Sequence, residues 1–157
     1  MPLEPGDPAP SVAAEDQHGN PVELAFEQPT VLFFYPRDGT PGCTTEATQF
    51  EAERETYDEA GLATYGVSTD DVAAHAEFAE RQGLEVTLLA DPDGELAAAF
   101  DVPVENGRAA RTTFVLADGE VHRVYRSVRP DGHARTVLGD LLDDGLAALD
   151  WDDAGSG

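Results

Sequence analysis

Lysine is absent from this chain, cysteine occurs once, and no apolar run approaches a membrane span. A single cysteine cannot close an internal disulfide, so crosslinks do not stabilise the fold and the compartment need not be oxidising. It also removes the Cys-x-x-Cys disulfide reductases, since position 46 is glutamate and position 40 threonine. Without a cysteine pair, and with His18, His75, His122 and His133 at no ligand-like spacing, no metal site is expected. There is no glycine-rich phosphate loop, no defensible Ser-His-Asp arrangement, and hence no expected cofactor. With no basic-then-apolar leader and no internal repeat, the expectation is one cytoplasmic domain over 1–157, its core spanning about 3–149 and a frayed tail at 150–157.

The missing lysine belongs to an extreme charge balance. All nine basic residues are arginines, against 32 acidic residues, for a formal net charge of −23. The acids run from Glu4 to Asp153 rather than gathering in a tail. Such self-repulsion weakens a fold at moderate salt, whereas in molar salt the Debye length shrinks to about 3 Å and the cost largely disappears. A salt-in halophile is the expected source. Nucleic acid and anionic membranes are poor partners for this surface.

The hydrophobic pattern orders the elements. Val12 to Glu15 and Pro21 to Leu24 suggest a hairpin across His18-Gly19-Asn20, after a proline-rich extended arm. Thr30 to Tyr35 is a near-continuous β-branched and aromatic run, the mark of a strand buried on both faces. A helix follows from Gly42 to about Ala60, with acids on its outer face. Further expectations are a strand at 62–68 and a helix capped by Ser68, Thr69 or Asp70 and stopped by Gly83. A strand at 86–89, a short helix to about Phe100, and an Asp118-Gly119 hairpin between 111–116 and 121–125 come next. The last helix spans Gly132 to Leu149. Strand-helix alternation followed by a hairpin implies an α/β thioredoxin-like fold: a central mixed sheet flanked by helices, with an N-terminal hairpin extension.

Cys43 stands between the buried strand and the first helix, in Pro36-Arg37-Asp38-Gly39-Thr40-Pro41-Gly42-Cys43. Amides in a helix's first turn lack intrahelical partners and the macrodipole adds positive charge, so this position favours a thiolate. A lone cysteine is more commonly a small buried hydrophobe. Two prolines and two glycines in eight residues, a loop stiffened where backbone must pass close to a ligand, weigh against that here.

Pro36-x-x-x-Thr40-x-x-Cys43 resembles the peroxiredoxin active-site signature, and Phe34 to Glu46 is similar to that of the Q-type, bacterioferritin-comigratory branch. Gly6-Asp7-Pro8-Ala9-Pro10, Gly66-Val67-Ser68-Thr69-Asp70, Leu88 to Gly94, Arg111-Thr112-Thr113-Phe114-Val115 and Gly132-His133-Ala134 continue the resemblance in order from about residue 3 to 148. The resemblance implies a thiol-dependent peroxidase acting on hydrogen peroxide and small alkyl hydroperoxides. Cys43 would be the peroxidatic nucleophile, Thr40 would hold thiolate and peroxide in line, and Arg111 would place a cation beside sulfur. Pro36 would shield the thiolate and Glu46 would orient the arginine. Many members of the branch carry a resolving cysteine five residues after the first; here that position is Thr48. The resemblance then implies a one-cysteine cycle resolved by an external thiol, either a thioredoxin-like protein or a small thiol, in a monomer or weak homodimer. Its rivals are a peroxide sensor or redox-binding module without sustained turnover, and a scaffold with an inert cysteine. For Arg111 the plain alternative is a surface ion pair, for Thr40 a turn residue, and for Glu46 a favourable first-turn charge.

Overall fold

A computed structural model describes residues 3–126 and 128–146. Its centre is β3 (Thr30–Phe34), whose five residues are all buried. Alternation along a strand sends Val31 and Phe33 to one face and Leu32 and Phe34 to the other, and each pair belongs to a different hydrophobic cluster. The run of large apolar residues is thus explained by two cores sharing one strand.

Beside β3 lie the parallel strands β4 (Ala63–Ser68) and β5 (Thr87–Ala90) on one side. On its other side lies the antiparallel hairpin β8 (Thr112–Ala117) and β9 (Glu120–Arg126). The N-terminal hairpin, β1 (Val12–Glu15) with β2 (Pro21–Leu24), closes the far edge. The seven strands run β2-β1-β5-β4-β3-β8-β9. One face is covered by α1 (Pro41–Ala52), α2 (Arg54–Glu59), α3 (Val72–Gln82) and α5 (His133–Asp144). The other packs on α4 (Glu95–Ala99) and on the inner side of the N-terminal hairpin. This is the expected thioredoxin-like architecture with its added hairpin.

Several boundaries differ from the sequence reading, each for a local reason. The single helix expected from Gly42 to Ala60 is broken at Glu53, and the break turns Tyr57 into the core, where its hydroxyl donates to the Ala134 carbonyl (2.5 Å). Asp71, not Ser68, Thr69 or Asp70, caps α3 by accepting from the Ala74 amide (2.8 Å). The three candidates are spent elsewhere: Ser68 donates to Asp70 (2.6 Å), Asp70 also accepts from the Asp38 amide (2.7 Å), and Thr69 donates to the Gly107 carbonyl (2.5 Å). The strand expected at 86–89 sits one residue later because the Val86 amide is taken by the Glu51 carboxylate (2.8 Å). A two-stranded ribbon, β6 (Val104–Glu105) and β7 (Arg108–Ala109), was not anticipated; Asn106 and Gly107, both at positive φ, make its turn. Asp118 and Gly119 likewise turn β8 into β9, and both strands reach one residue closer to the turn than expected. Gly145, in the left-handed region, ends α5 before the expected Leu149, which lies outside the described residues, as does the expected tail at 150–157.

Candidate active site

The thiol's position follows from the chain path. β3 leaves the sheet at its end, residues 35–40 form a short loop, and α1 begins at Pro41 with Thr40 as its cap residue. Proline at the first helical position costs nothing, because its missing N–H has no partner there in any case. Cys43 is therefore in the opening turn of α1, where the amides of Gly42 and Cys43 find no carbonyl within the helix. Its side chain belongs to the helix-covered core and is 1% exposed.

Arg111 reaches that sulfur from the sheet. It directly precedes β8, and Thr112 pairs with Phe34, so the arginine emerges beside the loop that carries the thiol. Its Nη2 donates to Cys43 Sγ (3.3 Å) and its Nη1 to Glu46 Oε1 (2.6 Å). Gly42 makes room: a Cβ there would stand 3.2 Å from Arg111 Nη2 and 3.4 Å from Pro130. Burial works against the charge of Arg111, and the adjoining Glu46 and Cys43 more than offset it, so the guanidinium is held more firmly protonated than usual. Glu46 lies on the buried face of α1 and is 0% exposed. Burial pushes its carboxyl from 4.5 up to about 7 against the pull of Arg111, and its Oε2 has no hydrogen-bond partner.

His133, at the start of α5, meets Thr113 Oγ1 through Nε2 (2.8 Å) and presents its ring edge-on to Phe50 and Tyr125. Burial, reinforced by the positive Arg111, lowers it from 6.5 to about 4, so it is neutral near physiological pH. Thr40 is half-buried and its hydroxyl donates to the Arg37 carbonyl (3.1 Å) rather than to sulfur. Pro36 is half-buried and lines a cleft with Pro103, Arg108 and Ala110. Of the five residues singled out from the sequence, Cys43, Arg111 and Glu46 thus form one bonded chain; Thr40 and Pro36 lie on the loop beside it.

A second polar cluster anchors the same loop and was not anticipated. Asp38 accepts from the buried Tyr35 hydroxyl (2.6 Å) and meets His75 Nδ1 (2.6 Å), while His75 Nε2 donates to the Leu89 carbonyl (3.0 Å). Burial, then the nearby Asp38 carboxylate, holds the Tyr35 hydroxyl well above its usual range, so it stays a donor. Asp38, Asp70 and His75 bring three metal-ligand-type atoms within 4.8 Å of one another, but each faces a donor or acceptor inside the cluster. Thirty-seven residues separate Asp38 from His75, so no spacing in the sequence marks the pair.

Comparisons with known proteins fit this geometry. The AhpC/TSA family model matches residues 5–124. A peroxiredoxin Bcp of Xanthomonas campestris is 41% identical over 119 residues, 71% of this chain and 74% of that protein. The crystal structure of peroxidoxin BcpB from Mycobacterium tuberculosis superposes with a TM-score of 0.83 at 37% identity, covering 90% of this chain and 97% of that one. A Xanthomonas campestris bacterioferritin comigratory protein, solved in a study of its alkyl peroxide reduction, superposes with a TM-score of 0.79 at 34% identity, covering 85% and 91%. With a lone cysteine at the start of α1 hydrogen-bonded to the half-buried Arg111, the chain belongs to the AhpC/TSA family, in its Bcp/PrxQ group of peroxiredoxins, the thiol-dependent peroxidases.

Proposed function

We propose that Cys43 reduces hydrogen peroxide and small alkyl hydroperoxides in a one-cysteine cycle. The observation that carries this reading is the 3.3 Å contact between Arg111 Nη2 and Cys43 Sγ in the first turn of α1. A thiolate there attacks the terminal peroxide oxygen: the S–O bond forms, the O–O bond breaks, and the leaving oxygen takes a proton to depart as water or alcohol. Arg111 stabilises negative charge on sulfur and then on the leaving oxygen. Thr40 serves once its hydroxyl turns from the Arg37 carbonyl toward the peroxide, Pro36 keeps water from sulfur, and Glu46 fixes the rotamer of Arg111 through Nη1. The resulting sulfenic acid meets an external thiol, giving a mixed disulfide and water; a second thiol restores Cys43 and leaves as disulfide. The chain has no second cysteine to do this internally.

Sustained peroxide consumption with a supplied thiol, lost in Cys43→Ser, is the expected result. One equivalent of peroxide consumed and then arrest, with thiol in excess, would make the protein a sensor instead. The reading places the protein in the cytoplasm of a halophilic archaeon, as a monomer or weak homodimer; among the described residues no helix is long and apolar enough to cross a membrane. Its charge supports the halophilic source, and thermal stability should then climb between low and molar potassium chloride.

A further inference from the structure

Arg111 is one cation set against two acids. Its Nη2 donates to Cys43 Sγ (3.3 Å) and its Nη1 to Glu46 Oε1 (2.6 Å), and both acids are buried. Two anions here would leave an uncompensated negative charge in the interior of a molecule whose net charge is already −23. One proton therefore stays in the site while sulfur is reduced. The hydrogen bonds say where it sits. Sulfur has Nη2 and the free amides of the opening turn of α1 to stabilise a negative charge. Glu46 Oε2 is buried with no partner, so an ionised carboxylate would have half its charge unanswered, whereas a neutral carboxyl lacks only a hydrogen bond. Neighbouring elements bring no rival charge. Tyr35 at the end of β3, Tyr57 of α2 and Tyr125 of β9 keep their protons, through burial first, and His133 of α5 is neutral near physiological pH. Asp38 and Asp140 accept from the Tyr35 and Tyr125 hydroxyls (2.6 Å each). Among the described residues Arg111 is the one charged group that acts on Glu46.

We propose that Cys43 and Glu46 share one negative charge opposite Arg111: sulfur holds it in the reduced protein, and Glu46 takes it when sulfur becomes a neutral sulfenic acid. This deepens, and rests on, the peroxidase reading above. The balance closes on a proton that the displacement itself leaves unassigned. The S–O bond forms, the O–O bond breaks, the leaving oxygen takes a proton from water, and Glu46 returns one to water. Thiolate, peroxide and glutamic acid thus become sulfenic acid, water or alcohol, and glutamate, with one negative charge before and after. Arg111 faces a single anion throughout, so the low-dielectric site never has to bury a second one or leave the cation alone. The charge runs back during resolution. When the second thiol frees Cys43 from the mixed disulfide as a thiolate, Glu46 recovers the proton that thiol gives up. Glu46 is then a charge partner of sulfur as well as the group that fixes Arg111. Burial against the pull of Arg111 sets Glu46 at about 7, and a thiolate on the same guanidinium raises it further, so the exchange falls just above pH 7.

The test is infrared difference spectroscopy of the full chain just above pH 7, before and after one equivalent of hydrogen peroxide, with intact mass reporting the oxygen gained by Cys43. Ordinary carboxylates are ionised there and give no carboxylic C=O band, so a band in the reduced protein isolates a protonated acid. It should be present, lose most of its height on oxidation, return when 2-mercaptoethanol is added, and be missing from Glu46→Gln. Heavy-carbon labelling of the glutamate side-chain carboxyls should displace it, which identifies the acid as a glutamate even if the variant fails to fold. A pH indicator in weak buffer gives the second readout: wild type should take up well under one proton per sulfenic acid formed, and Glu46→Gln one. A carboxylate that only orients Arg111 would move neither readout. A band that is absent from the reduced protein or unchanged by oxidation, with equal proton uptake in both chains, overturns the shared charge alone. A wild-type chain that gains no oxygen overturns the peroxidase reading and the shared charge with it.

Discussion

Two polar clusters flank the loop between β3 and α1, and they are built on opposite terms. On the side of Asp38, the Tyr35 hydroxyl, both His75 nitrogens, the Asp70 carboxylate and the Ser68 hydroxyl each meet a partner. On the side of Cys43, Glu46 is buried with one oxygen bonded to Arg111 and the other to nothing. A satisfied network rigidifies, because any displacement costs hydrogen bonds that water cannot replace in the interior. An incompletely neutralised one leaves field and unmet demand at the reacting atom. The contrast assigns structure to the first cluster and chemistry to the second, with residues 35–40 held still by one so that the other stays aligned.

The contrast breaks most sharply at Arg111. Replacing it with glutamine removes the cation at 3.3 Å from sulfur, and the second-order rate with peroxide should drop about 10²–10³-fold while the fold persists. Stopped-flow oxidation of the reduced protein measures this; a loss under tenfold would move the source of activation elsewhere.

Asp38→Ala should have the inverse profile. It strips partners from Tyr35 and His75, both 0% exposed, so stability should fall by about 3–5 kcal/mol, the usual cost of orphaning one member of a buried ionisable pair. The peroxide rate of the folded variant should fall only about tenfold, through looser positioning of the loop. Urea unfolding combined with the same kinetic assay separates the two effects.

The finest discrimination lies in pH. Glu46 keeps its proton up to about pH 7 in the fold, against 4.5 ordinarily. The folded state therefore holds the extra proton between those values, and this contribution to stability is lost as pH rises through about 7. His133 titrates at about 4 in the fold, against 6.5 ordinarily, so its contribution is present above 6.5 and lost as pH falls toward 4. Each amounts to on the order of 3 kcal/mol, with opposite slopes over nearly the same interval. Wild-type stability between pH 4 and 7 should therefore be comparatively flat in these two groups. Glu46→Gln should leave a curve that rises with pH, and His133→Gln one that falls. Denaturant midpoints across that range check both signs.

The Cys43 cluster was largely legible in the sequence and the Asp38 cluster was not. Cys43 and Glu46 lie one helical turn apart in a motif-rich segment, and Arg111 opens a recognisable apolar strand, so local pattern and resemblance reached all three. What the sequence could not convey is that Glu46 faces inward and, with α1 starting at Pro41, lies past the first turn; an acid near a helix start reads as solvent-facing first-turn charge, and the packing of α1 against the core reverses that. Asp38 and His75 meet only through the parallel β3–β4–β5 arrangement, which brings the loop after β3 against α3. The same tertiary demand displaced the cap of α3 from Ser68 and Asp70 to Asp71. Turns set by local chemistry, such as Asp118-Gly119 and Gly83, needed no such information.

The most direct measurement is the intact mass of the native, reduced protein after one equivalent of hydrogen peroxide, followed by addition of a small thiol. The account predicts gain of one oxygen atom, located at Cys43, and its complete removal by the thiol. A mass that does not change, or an oxygen that thiol cannot remove, would contradict it.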